Sequence, residues 1–216
     1  MTVVPPLESL DAIIFDLGGV LLDLDPAASV SALSRLYGSD ASVLYTQQKQ
    51  VGLFDRFERG EISPTDFRSG LGALLGAVQQ PSDLAIDEAW NAMILDFPAA
   101  KLDLLVRLRG LTRTFLLSNT NAIHLERFLA DYAERHSSSH GPWEGLFEQT
   151  HYSHVLGLRK PEPRVYERVL AIHGLEAGRC LFIDDNAHNI EAARGLGLQT
   201  LLLPTNAPLD PYFAAF

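Results

Sequence analysis

The most restrictive feature of this sequence is a pair of short, unbroken apolar runs that each end in carboxylates. Ala12-Ile13-Ile14-Phe15 leads into Asp16 and the glycine-bearing turn Leu17-Gly18-Gly19-Val20, and Cys180-Leu181-Phe182-Ile183 leads into Asp184-Asp185. Continuous apolar runs of this length suit strands buried on both faces, as in a parallel sheet covered by helices. Thr114 to Leu117 and Thr200 to Leu203 have the same character. Carboxylates at the ends of two such strands can share one hard cation, which makes Asp16 a candidate nucleophile for metal-assisted phosphoryl chemistry.

Helical patterns separate the strands and supply the covering layers of an α/β, three-layer parallel-sheet core. They run from Lys101 to Arg109, Ala122 to Ala133, and Pro163 to His173, with a further helix capped by Asn186 and ending at Gly195. Gly110 and Gly174 stand where left-handed C-terminal caps are expected, and Pro161 and Pro163 where a helix can begin. About a hundred residues separate Asp16 from Ser118, whereas a strand-helix-strand crossover needs only a few tens. The excess is expected to be an inserted helical cap domain over residues 26–96, with helices over Val43 to Phe57, Pro64 to Leu75 and Leu84 to Ile94. Residues 1–25 and 97–216 then form the core domain, and His136 to His140 reads as a surface loop.

Charge narrows the partners. With 17 Lys and Arg against 27 Asp and Glu, the net charge is −10. That excludes a general affinity for nucleic acid or for anionic membrane, both of which are held by Lys and Arg. A small phosphorylated metabolite is easier to accommodate, provided a divalent cation inverts the field of the acidic cluster. No apolar run approaches the roughly 18 residues of a membrane span. The start carries no basic and apolar leader pattern, so a cytoplasmic protein is expected, as a monomer or small homo-oligomer. The single cysteine, Cys180, sits inside an apolar run and reads as a buried core thiol.

Four segments, in order, carry a resemblance: Phe15-Asp16-Leu17-Gly18-Gly19-Val20-Leu21, Leu117-Ser118-Asn119-Thr120, Arg159-Lys160-Pro161 and Ile183-Asp184-Asp185-Asn186. Together they resemble the haloacid dehalogenase superfamily. Glu58-Arg59-Gly60-Glu61-Ile62-Ser63 and Leu156 to Glu162 are most similar to its small-cap sugar phosphatases, typified by bacterial α-D-glucose-1-phosphatase. The resemblance implies that Asp16 attacks phosphorus to form an aspartyl-phosphate. It implies that Ser118 and Asn119 bind phosphate or substrate, and that Lys160 holds Asp16 and the phosphoryl oxygens. It further implies a Mg²⁺ ion held by Asp16, the Gly18 carbonyl and one or both of Asp184 and Asp185, with Asp185 the stronger choice.

One departure from the family pattern concerns Gly18, where most phosphatases of the superfamily carry a second aspartate as acid and base. General acid–base catalysis is worth ~10²–10⁴-fold, against accelerations of up to ~10²¹ for phosphate-monoester hydrolysis, so most catalytic power would survive its loss. An anomeric hydroxyl leaves more readily than an ordinary alcohol, and this favours a sugar 1-phosphate as substrate. Asp23, Asp25 or a cap residue is the expected proton relay. Two other readings compete: a metal-independent 2-haloacid dehalogenase, which also lacks the second aspartate, and a silent phosphosugar-binding module. Asp184-Asp185 opposes the first, and the intact nucleophile, lysine and acids oppose the second. His151 and His154 have metal-like spacing without a third ligand and read as structural. His188 and Asn189 either tune the acidic cluster or face solvent, and Phe54, Phe57 and Arg59 are cap residues within possible reach of substrate.

Overall fold

A computed structural model describes residues 4–46 and 52–214. Five strands form one sheet: β1 (Ala12–Phe15), β2 (Arg113–Ser118), β3 (Gln149–Tyr152), β4 (Cys180–Asp184) and β5 (Gln199–Leu202). Their order is β3-β2-β1-β4-β5, and every pairing is parallel. The chain winds outward from β1 through β2 to β3, then returns to the other side of β1 for β4 and β5. The reversal falls between β1 and β4, the place where an open parallel sheet parts its loops to admit a ligand.

The alternation of the strands explains the layers. Ile13, Phe15, Leu116, Leu181 and Ile183 belong to one buried cluster, while Ala12, Ile14, Phe115, Leu117 and Phe182 belong to another. Each unbroken apolar strand therefore feeds two cores. The first is covered by α6 (Ala99–Arg109) and α7 (Ala122–Arg135), the second by α10 (Pro163–His173) and α11 (Ala187–Gly195). Between them in the chain lie the single turns α8 (Ser137–His140) and α9 (Ser153–Leu156).

Between β1 and β2 the chain forms α1 (Pro26–Tyr37), α2 (Ser42–Thr46), α3 (Gly52–Glu58), α4 (Pro64–Leu74) and α5 (Asp83–Asn91). These helices share a third cluster built on Leu33, Phe54, Phe57, Phe67, Leu71 and Trp90, joined by Ile123 of α7. The two connections to this insert run side by side: Leu24 bridges Ile94, Asp23 N–H donates to the Asp96 carbonyl at 3.0 Å, and Asp25 N–H donates to the Met93 carbonyl at 2.8 Å. Local signals set the helix starts. Ser63 and Asp66 form a reciprocal capping box, Asn121 caps α7 and Asn186 caps α11.

Several expectations need correction. β3 was not legible, because Gln149-Thr150-His151-Tyr152 is a polar edge strand with one buried residue. The helix expected over Val43 to Phe57 is represented by α2 and α3, and 47–51 lies outside the described residues. His136 to His140 is not a plain loop, since Ser137–His140 makes a helical turn. Gly174 is left-handed at φ 61°, but Gly110 stays right-handed at φ −74°. No helix among the described residues is long and apolar enough to cross a membrane.

Candidate active site

The C-terminal ends of β1 and β4 lie side by side, with Phe15 in register with Ile183, so Asp16 and Asp184 emerge as neighbours. The Asp16 N–H donates to the Ile183 carbonyl at 2.9 Å, which prolongs the ladder to the carboxylate itself. Lys160 reaches both acids from the loop before α10: its Nζ is 2.7 Å from Asp16 Oδ1 and 2.7 Å from Asp184 Oδ2. All three side chains are buried. Burial would push the Lys160 ammonium down, but Asp16 and Asp184 outweigh it and hold it above the ordinary lysine range. Asp16 is pushed above the ordinary carboxylate range by burial, with Lys160 opposing and Asp184 adding to the rise.

Asp184 is saturated. Its Oδ1 accepts from the Asn186 N–H at 2.8 Å, and Asn189 Nδ2 donates to both oxygens at 3.1 and 3.0 Å. Asp185 is half-buried, and its Oδ2 accepts from Thr205 Oγ1 at 2.7 Å. Burial raises its carboxyl pKa, against the pull of Thr205. Oxygens of Asp16, Asp184 and Asp185 lie within 4.8 Å of one another. Three carboxylates facing one ammonium leave an excess of negative charge, and an all-oxygen donor set suits a hard divalent cation. The fit favours Asp16 and Asp185 as direct ligands, because the oxygens of Asp184 are already spoken for.

Asn119, at the end of β2, was expected at the substrate. It lines the cavity beneath the insert, and its amide also pairs with the backbone of Lys160: Nδ2 donates to the Lys160 carbonyl at 2.8 Å and Oδ1 accepts from its N–H at 2.9 Å. This brackets the lysine in place. Ser118 and Gly18 line a cavity of about 130 Å³ between the sheet and the insert. Leu24, Phe54 and Trp90 give it apolar walls, and Glu58 and His124 are its titratable side chains. His124 stacks on Trp90 with ring centroids 4.9 Å apart, and its Nδ1 is 2.8 Å from Asn91 Oδ1. Burial drives its pKa down to about 3, so the ring is neutral. Glu58, Trp90 and His124 were missed as cavity residues, because nothing in their local pattern sets them apart from core or surface. The sole sequence signal is that Glu58 opens the segment Glu58 to Ser63.

The other candidates disperse. His151 Nε2 is 2.8 Å from His173 Nε2, whereas His154 Nδ1 faces the Thr120 carbonyl at 3.2 Å, so the two histidines share no ligand site. His188 is exposed while Asn189 holds Asp184. Phe57 is core; Arg59 pairs with Asp55 at 2.8 Å and with Glu162, and so ties α3 to the Lys160 loop. Cys180 is buried, and burial raises its thiol to about 11.

Comparison with known proteins agrees with this geometry. A family model described as haloacid dehalogenase-like hydrolase matches residues 10–197. The chain is 31% identical over 193 residues to a D-ribitol-5-phosphate phosphatase of Bacteroides thetaiotaomicron, covering 87% of this chain and 89% of that protein. It is 28% identical over 193 residues to a sesquiterpene phosphatase of Aspergillus oryzae, covering 89% of each. A crystal structure of a haloacid dehalogenase family enzyme from B. thetaiotaomicron, in complex with magnesium and inorganic phosphate, superposes with a TM-score of 0.83. That pair is 31% identical, covering 94% of this chain and 99% of the other.

Proposed function

This chain belongs to the haloacid dehalogenase-like hydrolase family, and we propose that it is a Mg²⁺-dependent phosphatase of small sugar or polyol phosphates acting through Asp16. The observation that carries the reading is Lys160 Nζ held 2.7 Å from both Asp16 and Asp184, with Leu17 and Gly18, which follow Asp16 in the chain, lining a cavity against the insert. Residues 26–96 serve as the cap and the remainder as the core. Asp16, Asp185 and the Gly18 carbonyl would hold Mg²⁺, with Asp184 placing Lys160 and Asn189 steadying Asp184. The bound ion supplies positive charge to the phosphoryl oxygens and keeps Asp16 ionised.

An Asp16 oxygen attacks phosphorus, the bond to the leaving oxygen breaks, and an aspartyl-phosphate forms; water then attacks that phosphorus and frees Asp16. Lys160 balances charge on Asp16 and on the transferring group, and Ser118 donates its hydroxyl to a phosphoryl oxygen. Gly18 supports a sugar 1-phosphate, whose anomeric oxygen needs a proton least. Similarity to a D-ribitol-5-phosphate phosphatase supports a second reading, a polyol with a terminal phosphate. Phosphate release from a panel of sugar 1-phosphates, sugar 6-phosphates and pentitol 5-phosphates, with Mg²⁺ or EDTA, separates them. Metal-dependent turnover that vanishes in Asp16→Asn is the expected result. Inertness across the panel sinks the phosphatase reading and moves the test to halide release from 2-haloacids.

A further inference from the structure

Gly18 leaves the β1 turn without an acid, and a Cβ built there would lie 2.6 Å from Leu24 Cδ1, so a side chain at this position would require the Leu24 methyl to move aside. The nearby acids are engaged elsewhere. Asp23 Oδ1 is 2.8 Å from Lys101 Nζ, and Asp25 Oδ1 accepts from the Ala27 N–H at 3.1 Å to cap α1. Neither lines the cavity, whereas Glu58 does, and among the described lining residues it is the one carboxyl. His124 is the other titratable group there, and its Nδ1 is turned to Asn91.

Glu58 closes α3 and is held by the core. Arg159, next in the chain to Lys160, places Nη2 2.7 Å from Glu58 Oε2, and that oxygen is shut off from solvent and accepts no regular hydrogen bond among the described residues. Gly60, in a left-handed conformation at φ 69°, lets the chain after α3 pass against the His154 carbonyl, so the end of α3 is fixed on α9. We propose that Glu58 is the general acid and base of the reaction, carried to the site by the insert. The inference rests on the phosphatase reading above. Burial pushes the Glu58 carboxyl above its ordinary range, with Asp55 adding to the rise and Arg159, Lys160 and Arg59 opposing it.

In the first step Asp16 bonds to phosphorus, the phosphorus–oxygen bond to the leaving alcohol breaks, and that oxygen takes the Glu58 proton. Arg159 steadies the resulting carboxylate. In the second step Glu58 recovers a proton from the water whose oxygen attacks the aspartyl-phosphate, releasing inorganic phosphate and Asp16. The balance is one phosphomonoester and one water to one alcohol and one phosphate.

The test compares wild type with Glu58→Gln, in the full chain with Mg²⁺, on two substrate types. On a sugar or polyol phosphate, whose alcohol needs a proton to leave, turnover should fall by about 10²–10⁴-fold. On p-nitrophenyl phosphate the leaving group needs no proton, so the variant should release one rapid equivalent of nitrophenolate and then stall as the aspartyl-phosphate accumulates. Losses equal on both substrates and without a burst, or turnover at the wild-type rate, would overturn the assignment while the phosphatase reading stands. A wild type inert toward both overturns the two together. If Glu58→Gln does not fold, Glu58→Gln/Arg159→Gln removes the partly buried cation that faced Glu58 and carries the same burst test.

Discussion

Lowering the pH should unfasten the cap side of the cavity through a single imidazole. His124 is partly buried, stacked on Trp90, and no charged neighbour offsets burial, which takes its pKa from 6.5 to about 3. A group depressed in the folded state binds fewer protons than in the unfolded chain, so its contribution is complete above the unfolded value and is lost as pH falls toward the folded one. Between pH 6.5 and pH 3 the slope approaches about 1.4 kcal/mol per pH unit. Integrated from pH 7 to pH 4.5, the loss is about 2.5 kcal/mol, a large share of an ordinary domain's ~5–15 kcal/mol. The perturbation is His124→Gln, which keeps a polar side chain that never titrates. Urea unfolding followed by tryptophan fluorescence at pH 7, 5.5 and 4.5 gives the stability of both proteins. Wild type should lead at pH 7, and its lead should shrink by about 2.5 kcal/mol at pH 4.5, because contributions from all other groups cancel in the difference. A lead that stays constant with pH would refute the reasoning, since it would mean that the imidazolium is accommodated in the folded protein.

Gly60→Ala should cost more than the ~1–2 kcal/mol of a left-handed alanine, because its Cβ would lie 2.2 Å from the His154 backbone carbonyl oxygen. Thermal unfolding reads the stability loss, and kcat for a sugar phosphate should fall with it as Glu58 is displaced; full activity would show that the end of α3 need not be fixed. Asp23→Asn strands the buried Lys101, so stability should drop by about 1–3 kcal/mol, less than for a fully buried pair because Asp23 is partly exposed. Its kcat/KM should stay unchanged, and a loss of turnover without a loss of stability would make Asp23 the proton donor in place of Glu58.

The core strands were legible wherever burial demanded it. Ala12–Phe15 and Cys180–Asp184 lie in the middle of the sheet, so both faces must be apolar and the pattern is unmistakable. Gln149–Tyr152 lies at the edge, where one buried residue suffices, and four polar or aromatic letters do not declare a strand. The same contrast holds in the site. Asp16, Lys160 and Asp184 stand next to glycine, proline and apolar-strand signals that announce a turn with a purpose. The roles within the acidic pair were not legible, because Asp184 and Asp185 differ only in what reaches them: Asn189 and Lys160 for the first, Thr205 for the second. Asn119 shows the limit most plainly. A polar residue beside a strand end suits substrate and backbone equally, and Asn119 both lines the cavity and pairs with the Lys160 backbone, a partner 41 positions away that no local pattern announces.

Placing the proton donor on the insert changes when chemistry is possible. Asp55, Glu58 and Arg59 of the α3 end meet Arg159 and Glu162, the residues that flank Lys160 and Pro161, through Arg159–Asp55 at 2.8 Å, Arg159–Glu58 at 2.7 Å and Arg59–Glu162. Each pair is partly exposed and by itself is worth about 0–1 kcal/mol, so none is a stability device. Their value is positional. Lys160 is bracketed by Asn119 on the core side, and the same loop grips α3 on the other, so the spacing of nucleophile, lysine and Glu58 is set by one short segment. An acid on the β1 turn would sit beside Asp16 whether or not the insert were seated. An acid on α3 is present only when the insert covers the cavity, so protonation of the leaving group coincides with the exclusion of bulk water. Leu24 Cδ1 occupies the space beside Gly18. That same residue is part of the cavity wall, so the turn after β1 and the surface facing the insert are shaped by one side chain.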